Sequence, residues 1–287
     1  MTVRIIPRLD IKGPNLVKGI HLEGLRVLGI PENFARLYYE QGADELFYMD
    51  VVASLLGRNN LYGIVEKTAR EIFIPLTVGG GLRTIDDITQ VLRVGADKVA
   101  INTAAIQRPR FIRDAARRFG TSTIVVAIEA MKKQDGTYEA YTNNGREKTG
   151  KDVFEWAQEA ETLGAGEILL TSINQDGTGR GFDLELVQEM STCVSIPVIA
   201  HGGAGTKQHI VDVFKSTGIR AVSLGSILHY NAGFKTNVQR VVEKTGEGNT
   251  EFLQHGKGFS WIEKTSIQDI KRFLQKKNIP NRIARAE

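Results

Sequence analysis

Short apolar runs rich in Val and Ile alternate along the chain with longer segments in which apolar residues recur at helical spacing. This alternation is typical of βα units that pair into a parallel sheet. The predicted strands lie at 4–10, 45–50, 75–78, 98–101, 124–129, 167–171, 197–200 and 221–224. The predicted helices between them include 32–41, 61–72, 86–94, 111–119, 153–163 and 209–216. Eight βα units close into a barrel, so we predict the α/β class and a (β/α)8 TIM barrel.

An internal repeat supports this count of strands. GADELFYMD at 42–50 recurs as GAGEILLTS at 164–172, and IPLTVGGG at 74–81 recurs as IPVIAHGG at 196–203, with the same interval between the two copies. Two further pairs of segments, at strands one and five and at strands four and eight, keep nearly that interval. Unrelated βα units would not share one interval, so we interpret the barrel as two similar half-barrels in a single domain over 1–287.

Two segments fall outside the repeat. An insertion at about 131–150 follows strand five, and its DG and NG pairs predict a small hairpin beside the barrel mouth. An extended C-terminal tail at about 231–287 is longer than one last helix requires. Within the tail, the Gly-rich stretch 246–260 is predicted to be a loop, and 266–276 is predicted to be a helix with Ser266 as its N-cap.

Composition places the chain among ordinary globular proteins. Its 287 residues are 41% hydrophobic and 24% charged, which excludes collagen-like, disordered and disulfide-framework classes. Lys and Arg number 37 against 33 Asp and Glu, which gives a mild net charge of +4 spread along the chain. That balance by itself favours neither an anionic ligand nor nucleic acid. We expect a small-molecule substrate and no nucleic-acid partner.

Cysteine content and hydropathy bear on location. Cys193, the single cysteine, cannot form an internal disulfide and fits a reducing compartment. The sequence has no apolar stretch long enough for a signal peptide or a membrane-spanning helix. We therefore expect a cytoplasmic protein with no membrane partner, no metal and no cofactor.

Active sites of such barrels form at the carboxyl ends of the strands, where this chain carries matching glycine-rich segments in both halves. They are Gly79, Gly80, Gly81, Asn102 and Thr103 in one half and Gly202, Gly203, Gly225 and Ser226 in the other. Glycine lets backbone N–H groups approach an anion closely, and a hydroxyl or a helix N-terminus completes a phosphate cradle. For a single glycine-rich turn, a tight backbone connection explains the glycines as well as phosphate binding does. The symmetric pair predicts a substrate with two phosphates.

Two carboxylates, Asp10 and Glu129, close strands one and five and are predicted to face each other across the mouth. Such a pair suits general acid–base catalysis, because mutual repulsion raises one pKa while the other group stays ionised. Each is alternatively a helix N-cap or an ion-pair partner. Lys18 is predicted either to reach a phosphate or to stay solvated. Other polar residues predicted to contact the substrate are Thr171, Asp176 and Gly177.

The chain contains, in this order, the motifs RIIPRLD, FIPLTVGGGLR, GADKVAINTAA, IVVAIEA, GAGEILLTS, DGT and IPVIAHGGAG. Their order and spacing over about 4–230 resemble those of the family of cyclase subunits of imidazole glycerol phosphate synthase. The resemblance implies a lyase of histidine biosynthesis that forms a heterodimer with a glutaminase subunit docked at the N-terminal face of the barrel. Ammonia then passes along the barrel axis to a phosphoribulosyl-formimino aminoimidazole carboxamide ribotide at the C-terminal face. The implied products are imidazole glycerol phosphate and an aminoimidazole carboxamide ribotide.

The same resemblance assigns roles to particular residues. Asp10 matches one catalytic carboxylate, and Glu129 stands where the family has an aspartate. The residues that match the phosphate sites are Gly81, Asn102 and Thr103 for one site and Gly177, Gly203 and Ser226 for the other. The residues that match a ring of charges at the ammonia entrance are Arg4, Glu45, Lys98 and Glu167. All four open their strands, so ordinary ion pairing at the bottom of the barrel is the alternative explanation.

Three positions depart from the family pattern. Arg8 replaces a cysteine, Glu129 replaces an aspartate, and His201 replaces a serine. Arg8 shares a strand face with Asp10, so we predict that it points into the lumen and pairs with Glu129, Asp10 or both. Such pairing is expected to depress the pKa of Glu129 and to weaken it as a general acid.

These departures keep an alternative function open. The chain also resembles paralogues that channel ammonia for amidation of a surface-polysaccharide sugar, which would add a separate sugar-amidating enzyme as a partner. A sugar-phosphate isomerase on the same barrel needs no ammonia route, and a docking scaffold needs no phosphate cradles, so both are less favoured. We expect the cyclase reaction first and ammonia channelling for amidation second.

Overall fold

The computed structural model describes residues 2–56, 61–233 and 261–282. The strands are β1 (Arg4–Lys12), β2 (Asn15–Ile20), β3 (Glu23–Gly29), β4 (Leu46–Asp50), β5 (Leu76–Gly79), β6 (Lys98–Ile101), β7 (Ile124–Lys132), β8 (Tyr138–Thr142), β9 (Glu147–Asp152), β10 (Glu167–Ser172), β11 (Val198–His201) and β12 (Ala221–Leu224). Of these, β1, β4, β5, β6, β7, β10, β11 and β12 pair in parallel in that order, and β12 pairs with β1. The closed eight-stranded barrel confirms the predicted (β/α)8 TIM fold.

The eight barrel strands coincide with the eight predicted apolar runs. The largest difference in length is at β7, which continues to Lys132 instead of ending at Glu129. Beyond Glu129 this strand leaves the barrel and pairs antiparallel with β8, where Lys132 lies opposite Tyr138. The hydrophobic pattern therefore located the barrel strands, and the extension arises from a hairpin at the mouth.

Helices cover the outside of the barrel. They are α1 (Pro31–Glu40), α2 (Ala53–Leu56), α3 (Tyr62–Ala69), α4 (Ile85–Arg93), α5 (Thr103–Gln107), α6 (Arg110–Phe119), α7 (Val153–Leu163), α8 (Leu184–Cys193), α9 (Lys207–Thr217), α10 (Ser226–Gly233) and α11 (Ile267–Lys276). Several begin at short polar side chains that accept a backbone hydrogen bond, among them Thr84, Asp152 and Thr206. Across the described ranges, no helix combines the length and the apolar character needed to span a bilayer.

Successive residues of a barrel strand point alternately outward and into the lumen. On β1, Leu9 packs outward in the main core beneath the helices, whereas Ile6 belongs to a second apolar cluster inside the barrel. The other buried members of that lumen cluster are Phe47, Ala100, Val125, Ala127, Leu169, Ile199 and Ala221. Arg8 and Asp10 follow Ile6 in the same phase, so they also face the lumen, nearer the carboxyl end.

Two antiparallel hairpins rise from the carboxyl-end face. The predicted insertion at 131–150 forms one of them, with β8 and β9 following β7 and with left-handed turns at Gly136 and Gly145. The other, β2 and β3, was not expected from the sequence. Its turn places His21 and Leu22 in the left-handed region at φ 53° and 63°. Neither residue type favours that conformation, so the turn carries no sequence signal.

The last described segment completes the helical layer. Ser266 caps α11 as predicted, since its hydroxyl accepts from the Asp269 N–H while the Asp269 carboxylate accepts from the Ser266 N–H. The helix buries Ile270 and Leu274 and packs beside α9. This part of the predicted tail is therefore an outer helix of the barrel. The predicted loop at 246–260 lies outside the described residues.

Lys271 ties α11 to the amino-terminal end of the barrel. Its side chain is 3% exposed, and Nζ donates to the Gly42 carbonyl at 2.7 Å and to Asp44 Oδ1 at 2.8 Å. The other oxygen of Asp44 accepts from the backbone N–H of Ile5 at 2.8 Å. One buried ion pair thus joins the last helix, the turn before β4 and strand β1.

Replacing Lys271 with Met should lower the free energy of unfolding by about 3 to 5 kcal/mol, because the Asp44 carboxylate stays buried without its cation. Adding Asp44→Asn should recover part of the loss. Lys276→Met, on the exposed face of the same helix, is the matched control and should change stability by less than about 0.5 kcal/mol. Urea denaturation measures all three. A Lys271→Met protein as stable as the wild type would contradict a structural role for the pair.

Candidate active site

Most of the predicted site residues meet at the carboxyl-end mouth of the barrel. Several charged or titratable residues there are buried, among them Arg8, Asp10, Lys18, Glu129, Asp176 and His201. They come from strands β1, β2, β7 and β11 and from the loop after β10. Barrel closure brings them together because each follows or ends a strand at the same face.

Arg8 crosses the lumen from β1. Its Nε donates to Asp10 Oδ1 at 2.8 Å, and its Nη1 donates to Thr171 Oγ1 on β10 at 3.1 Å. Strands β11 and β12 separate β10 from β1 around the barrel, so the guanidinium spans the interior. Nη2 is buried and has no hydrogen-bond partner. The predicted inward orientation and the pairing with Asp10 are therefore both present.

Lys18 is buried and paired, so the expectation of a solvated side chain is wrong. Its Nζ lies 2.9 and 2.7 Å from the two carboxylate oxygens of Asp176 and 3.5 Å from Asp10 Oδ2. Burial alone would raise the pKa of Asp10, but the neighbouring Arg8 and Lys18 outweigh it and hold that pKa below its ordinary value. Burial likewise opposes ionisation of Asp176, yet the ammonium of Lys18 lowers its pKa. Both carboxylates are ionised.

Glu129 has the opposite electrostatic environment. Burial raises its pKa from 4.5 to about 7, against a smaller lowering by the Gly145 N–H, which donates to Oε2 at 2.8 Å, and by Arg8. Arg8 lowers the pKa of Glu129 as expected, but burial outweighs it because the guanidinium is bonded to Asp10 and Thr171, so the net shift is opposite to the expected depression. The mouth therefore holds an ionised carboxylate and a carboxyl group that is protonated near neutral pH.

The first glycine-rich cradle lines an open cleft. The cleft has a volume of about 160 Å³ and lies beside Glu129. Its other lining residues include Gly80, Gly81, Asn102 and Thr103, as expected for one phosphate site. Asn102 donates through Nδ2 to the Tyr141 carbonyl at 3.1 Å, while its buried Oδ1 has no partner. The insertion hairpin thus forms one wall of this cleft.

The second cradle is much narrower, with a volume of about 10 Å³. It is lined by the predicted residues Asp176, Gly177, Gly202, Gly203, Gly225 and Ser226, together with His201 and Ser223. A β-carbon on Gly203 would lie 1.9 Å from the Gly181 carbonyl oxygen, and one on Gly177 would lie 2.5 Å from the Gly19 oxygen. Close backbone packing therefore requires these two glycines whether or not a phosphate binds.

A ring of four charges closes the opposite, amino-terminal end of the lumen. Arg4 pairs with Glu45 at 2.5 Å and also with Glu167, and Lys98 Nζ lies 3.1 Å from Glu45 and 3.2 Å from Glu167. Positive and negative side chains alternate around the ring. The lumen cluster of apolar residues follows it along the axis, and Arg8 lies beyond that cluster.

His229 supports the site from outside the lumen. Its Nε2 donates to the Arg8 carbonyl at 2.8 Å, so its Nδ1 accepts from the Tyr38 hydroxyl at 2.7 Å. Burial lowers the pKa of His229 to about 4, and the ring is neutral. Sequence reasoning missed this residue, because a single histidine in an apolar segment has no distinguishing pattern. In the part of the chain that the structure describes, no cluster of three or more potential metal ligands is found.

The raised pKa of Glu129 predicts a measurable pH dependence of stability. Between pH 4.5 and about 7 the folded state binds the Glu129 proton more tightly than the unfolded state. The contribution of Glu129 to the free energy of unfolding therefore falls as pH rises through this window, by on the order of 3 kcal/mol. Glu129→Gln should remove that fall, so its stability relative to the wild type should increase with pH.

Equilibrium denaturation at a series of pH values tests this. Glu155→Gln, at an exposed site on α7, is the matched control and should keep the pH dependence of the wild type. A constant difference between Glu129→Gln and the wild type from pH 4.5 to 7 would contradict a raised pKa.

Known proteins match most of this chain. A family model described as histidine biosynthesis protein matches residues 4–233. The imidazole glycerol phosphate synthase subunit HisF of Legionella pneumophila is 64% identical over 203 residues, which cover 71% of this chain and 96% of the relative. The corresponding subunit HisF of Bacillus cereus (strain G9842) is 47% identical over 248 residues, covering 86% and 97%. The matched residues 4–233 contain the whole barrel sheet and the mouth described above, and the chain belongs to the histidine biosynthesis protein family.

Proposed function

We propose that the chain is the cyclase subunit of an imidazole glycerol phosphate synthase. It uses ammonia to convert a bisphosphorylated ribotide into imidazole glycerol phosphate and aminoimidazole carboxamide ribotide. The observation that carries this proposal is the pair Asp10 and Glu129, held in opposite protonation states between two glycine cradles. The two relatives that bear the synthase name support it and do not favour the amidation alternative.

The two cradles are proposed to hold the two phosphates. Gly81, Asn102 and Thr103 bind one phosphoryl group in the open cleft, where the buried Oδ1 of Asn102 is left for a hydroxyl of the ligand. The second cradle binds the other group, and its proposed residues are Gly177, Gly202, Gly203, Gly225 and Ser226. Because the ligand spans both clefts, its central carbons lie over Asp10 and Glu129. Lys18, Thr171 and Asp176 position Asp10 and Arg8 below them.

Ammonia addition to a keto group requires a proton on the carbonyl oxygen and removal of one from nitrogen. Glu129 is the proposed general acid, since its carboxyl group keeps its proton up to about pH 7. Asp10 is the proposed base and electrostatic stabiliser, since Arg8 and Lys18 keep it ionised. Ion pairing makes Asp10 a weak base, so its main effect is to stabilise the positive charge that develops on nitrogen.

The amino-terminal face is proposed to dock the glutaminase subunit. Beside Arg4, Lys98 and Glu167 lies a concavity of about 780 Å³, lined by loops at the bottom of β10, β11 and β12. The charged ring at its edge is the proposed ammonia gate, leading to the apolar lumen cluster. Arg8 stands between that cluster and Asp10, so a cation such as ammonium is repelled there while neutral ammonia is not.

Turnover with ammonium salts tests the cyclase assignment without a glutaminase. With concentrated ammonium salt at mildly alkaline pH, where free ammonia is present and part of Glu129 keeps its proton, the isolated chain should convert the ribotide. Asp10→Asn should lower kcat by about 10² to 10⁴ while leaving ribotide binding nearly unchanged. Asp135→Asn, at an exposed turn of the insertion hairpin, is the matched control and should keep the wild-type rate. Ribotide binding without any turnover by the wild type would contradict the cyclase assignment.

The gate is tested by comparing two ammonia sources. Lys98→Met leaves Glu45 and Glu167 with Arg4 alone, so it should lower glutamine-dependent turnover in the complex with the glutaminase severalfold. Ammonium-dependent turnover of the same variant should stay within about twofold of the wild type, because the mouth is untouched. Lys276→Met serves as a surface control for both assays. Equal losses with both sources would show that the ring stabilises the barrel and does not gate ammonia.

A further inference from the structure

His201 ends β11 inside the second cradle and is only 4% exposed. A β-carbon on Gly225 would lie 3.8 Å from its Cε1, so the imidazole borders the glycine wall of the cleft. In the internal repeat, the position that matches His201 is Gly79. The imidazole therefore has no counterpart in the first cradle.

The hydrogen bonds of His201 define its tautomer. Nδ1 lies 2.9 Å from the Ser223 carbonyl oxygen, which can only accept, so Nδ1 carries a hydrogen. Nε2 has no hydrogen-bond partner among the described residues and lies 3.3 Å from Asp176 Oδ1. In the neutral ring, Nε2 carries a lone pair close to this negatively charged oxygen, which is an unfavourable contact. A proton on Nε2 turns the contact into an ion pair.

Charged groups from several elements decide whether that proton is present. Burial lowers the pKa of His201 first, and Arg8 on β1 and Lys18 on β2 lower it further. Asp176 in the loop after β10 favours the proton, and Asp10 on β1 is attracted to the charged ring as well. The other nearby titratable group is His229 on α10, which is neutral. The net effect holds the pKa of His201 below its ordinary value, so the ring is neutral without a ligand above pH 7.

A phosphoryl group in the cleft changes this balance. It brings about two negative charges at neutral pH and three acceptor oxygens. Besides His201 Nε2, the cleft contains the buried Oγ of Ser223, which also has no hydrogen-bond partner. His201 Nε2 and Ser223 Oγ thus border this small polar cleft together with Ser226 Oγ, which also has no hydrogen-bond partner among the described residues. Protonated Nε2 and the Ser223 hydroxyl can both donate to phosphoryl oxygens, whereas neutral Nε2 cannot.

We propose that His201 is a phosphate-binding residue of the second cradle that takes up one proton from solution when a phosphoryl group binds, and then donates from Nε2 to it. The inference rests on the proposed function, since it needs a phosphorylated ligand at this end of the mouth. A purely structural His201, bonded to Ser223 and packed beside Asp176, would bind no extra proton.

Titration calorimetry of the ribotide without an ammonia source tests the proton uptake. At pH 7.5 the ligand phosphates are almost fully dianionic, so their own titration contributes little. Measured in buffers of different ionisation enthalpy, the wild type should show net proton uptake on binding the ribotide. His201→Asn keeps a donor for the Ser223 carbonyl and removes the titrating ring. It should take up fewer protons than the wild type, with only the contribution of Glu129 left, and bind the ribotide about tenfold or more weakly.

His209→Asn is the matched control. His209 lies at the start of α9 near the same loops, and its Nδ1 accepts from the Gly205 N–H at 3.2 Å, a bond that an Asn oxygen can keep. This variant should show the proton uptake and the affinity of the wild type. Proton uptake in His201→Asn equal to that of the wild type would overturn the role of His201 and leave the proposed function standing.

Nitrogen NMR of the histidine rings with inorganic phosphate as the probe separates the two proposals. Phosphate should raise the pKa of His201 and move the ring from the Nδ1–H tautomer toward the imidazolium at a fixed pH. If the ribotide fails to bind the wild type, the cyclase assignment is overturned. In that case a phosphate-dependent change at His201 still supports the phosphate site, and an unchanged His201 overturns it.

Discussion

The charged side chains inside the mouth of this barrel are shielded from water, so each charge has to be balanced by its neighbours. Arg8 and Asp10 form the central pair, at 2.8 Å on one face of one strand. Lys18 and Asp176 form a second pair beside it, and the ring around Arg4 balances the other end of the lumen. Burying an unpaired charge costs several kcal/mol. Loss of one of these side chains therefore destabilises the protein through its partner, even when the two residues are far apart in sequence.

That constraint separates the two candidate catalytic carboxylates. Two cations lie close to Asp10, so it stays ionised in spite of its burial. Among the described residues, only the Gly145 N–H donates directly to Glu129, and burial therefore keeps the proton of Glu129 in place up to about pH 7. Arg8 thus accounts for much of the difference in pKa between the two groups. It pairs directly with Asp10, and it makes no hydrogen bond to Glu129 that would offset the effect of burial. The proposed roles of Glu129 as the acid and Asp10 as the base follow from their unequal contact with Arg8.

The two halves of the barrel are alike in backbone and unequal in their clefts. Matching glycines follow strands β5 and β11, yet one cleft measures about 160 Å³ and the other about 10 Å³. The difference arises from side chains that the repeat does not share. Lys18, on the hairpin after β1, pairs with Asp176, and His201 lines the second cleft beside Asp176. A symmetric scaffold therefore presents two chemically different clefts.

The sequence by itself determined the eight strands, the half-barrel repeat, the charged ring and the inward direction of Arg8, because all of these depend on local periodicity and on which end of a strand a residue occupies. It also located the cap at Ser266 and the hairpin after β7. Only the tertiary structure decided that Arg8 pairs with Asp10 and Thr171 and leaves Glu129 alone, that Lys18 is buried, and that His201 faces Asp176. Those contacts join strands far apart in sequence, and pKa values depend on burial and on distances of a few ångströms that no sequence pattern encodes.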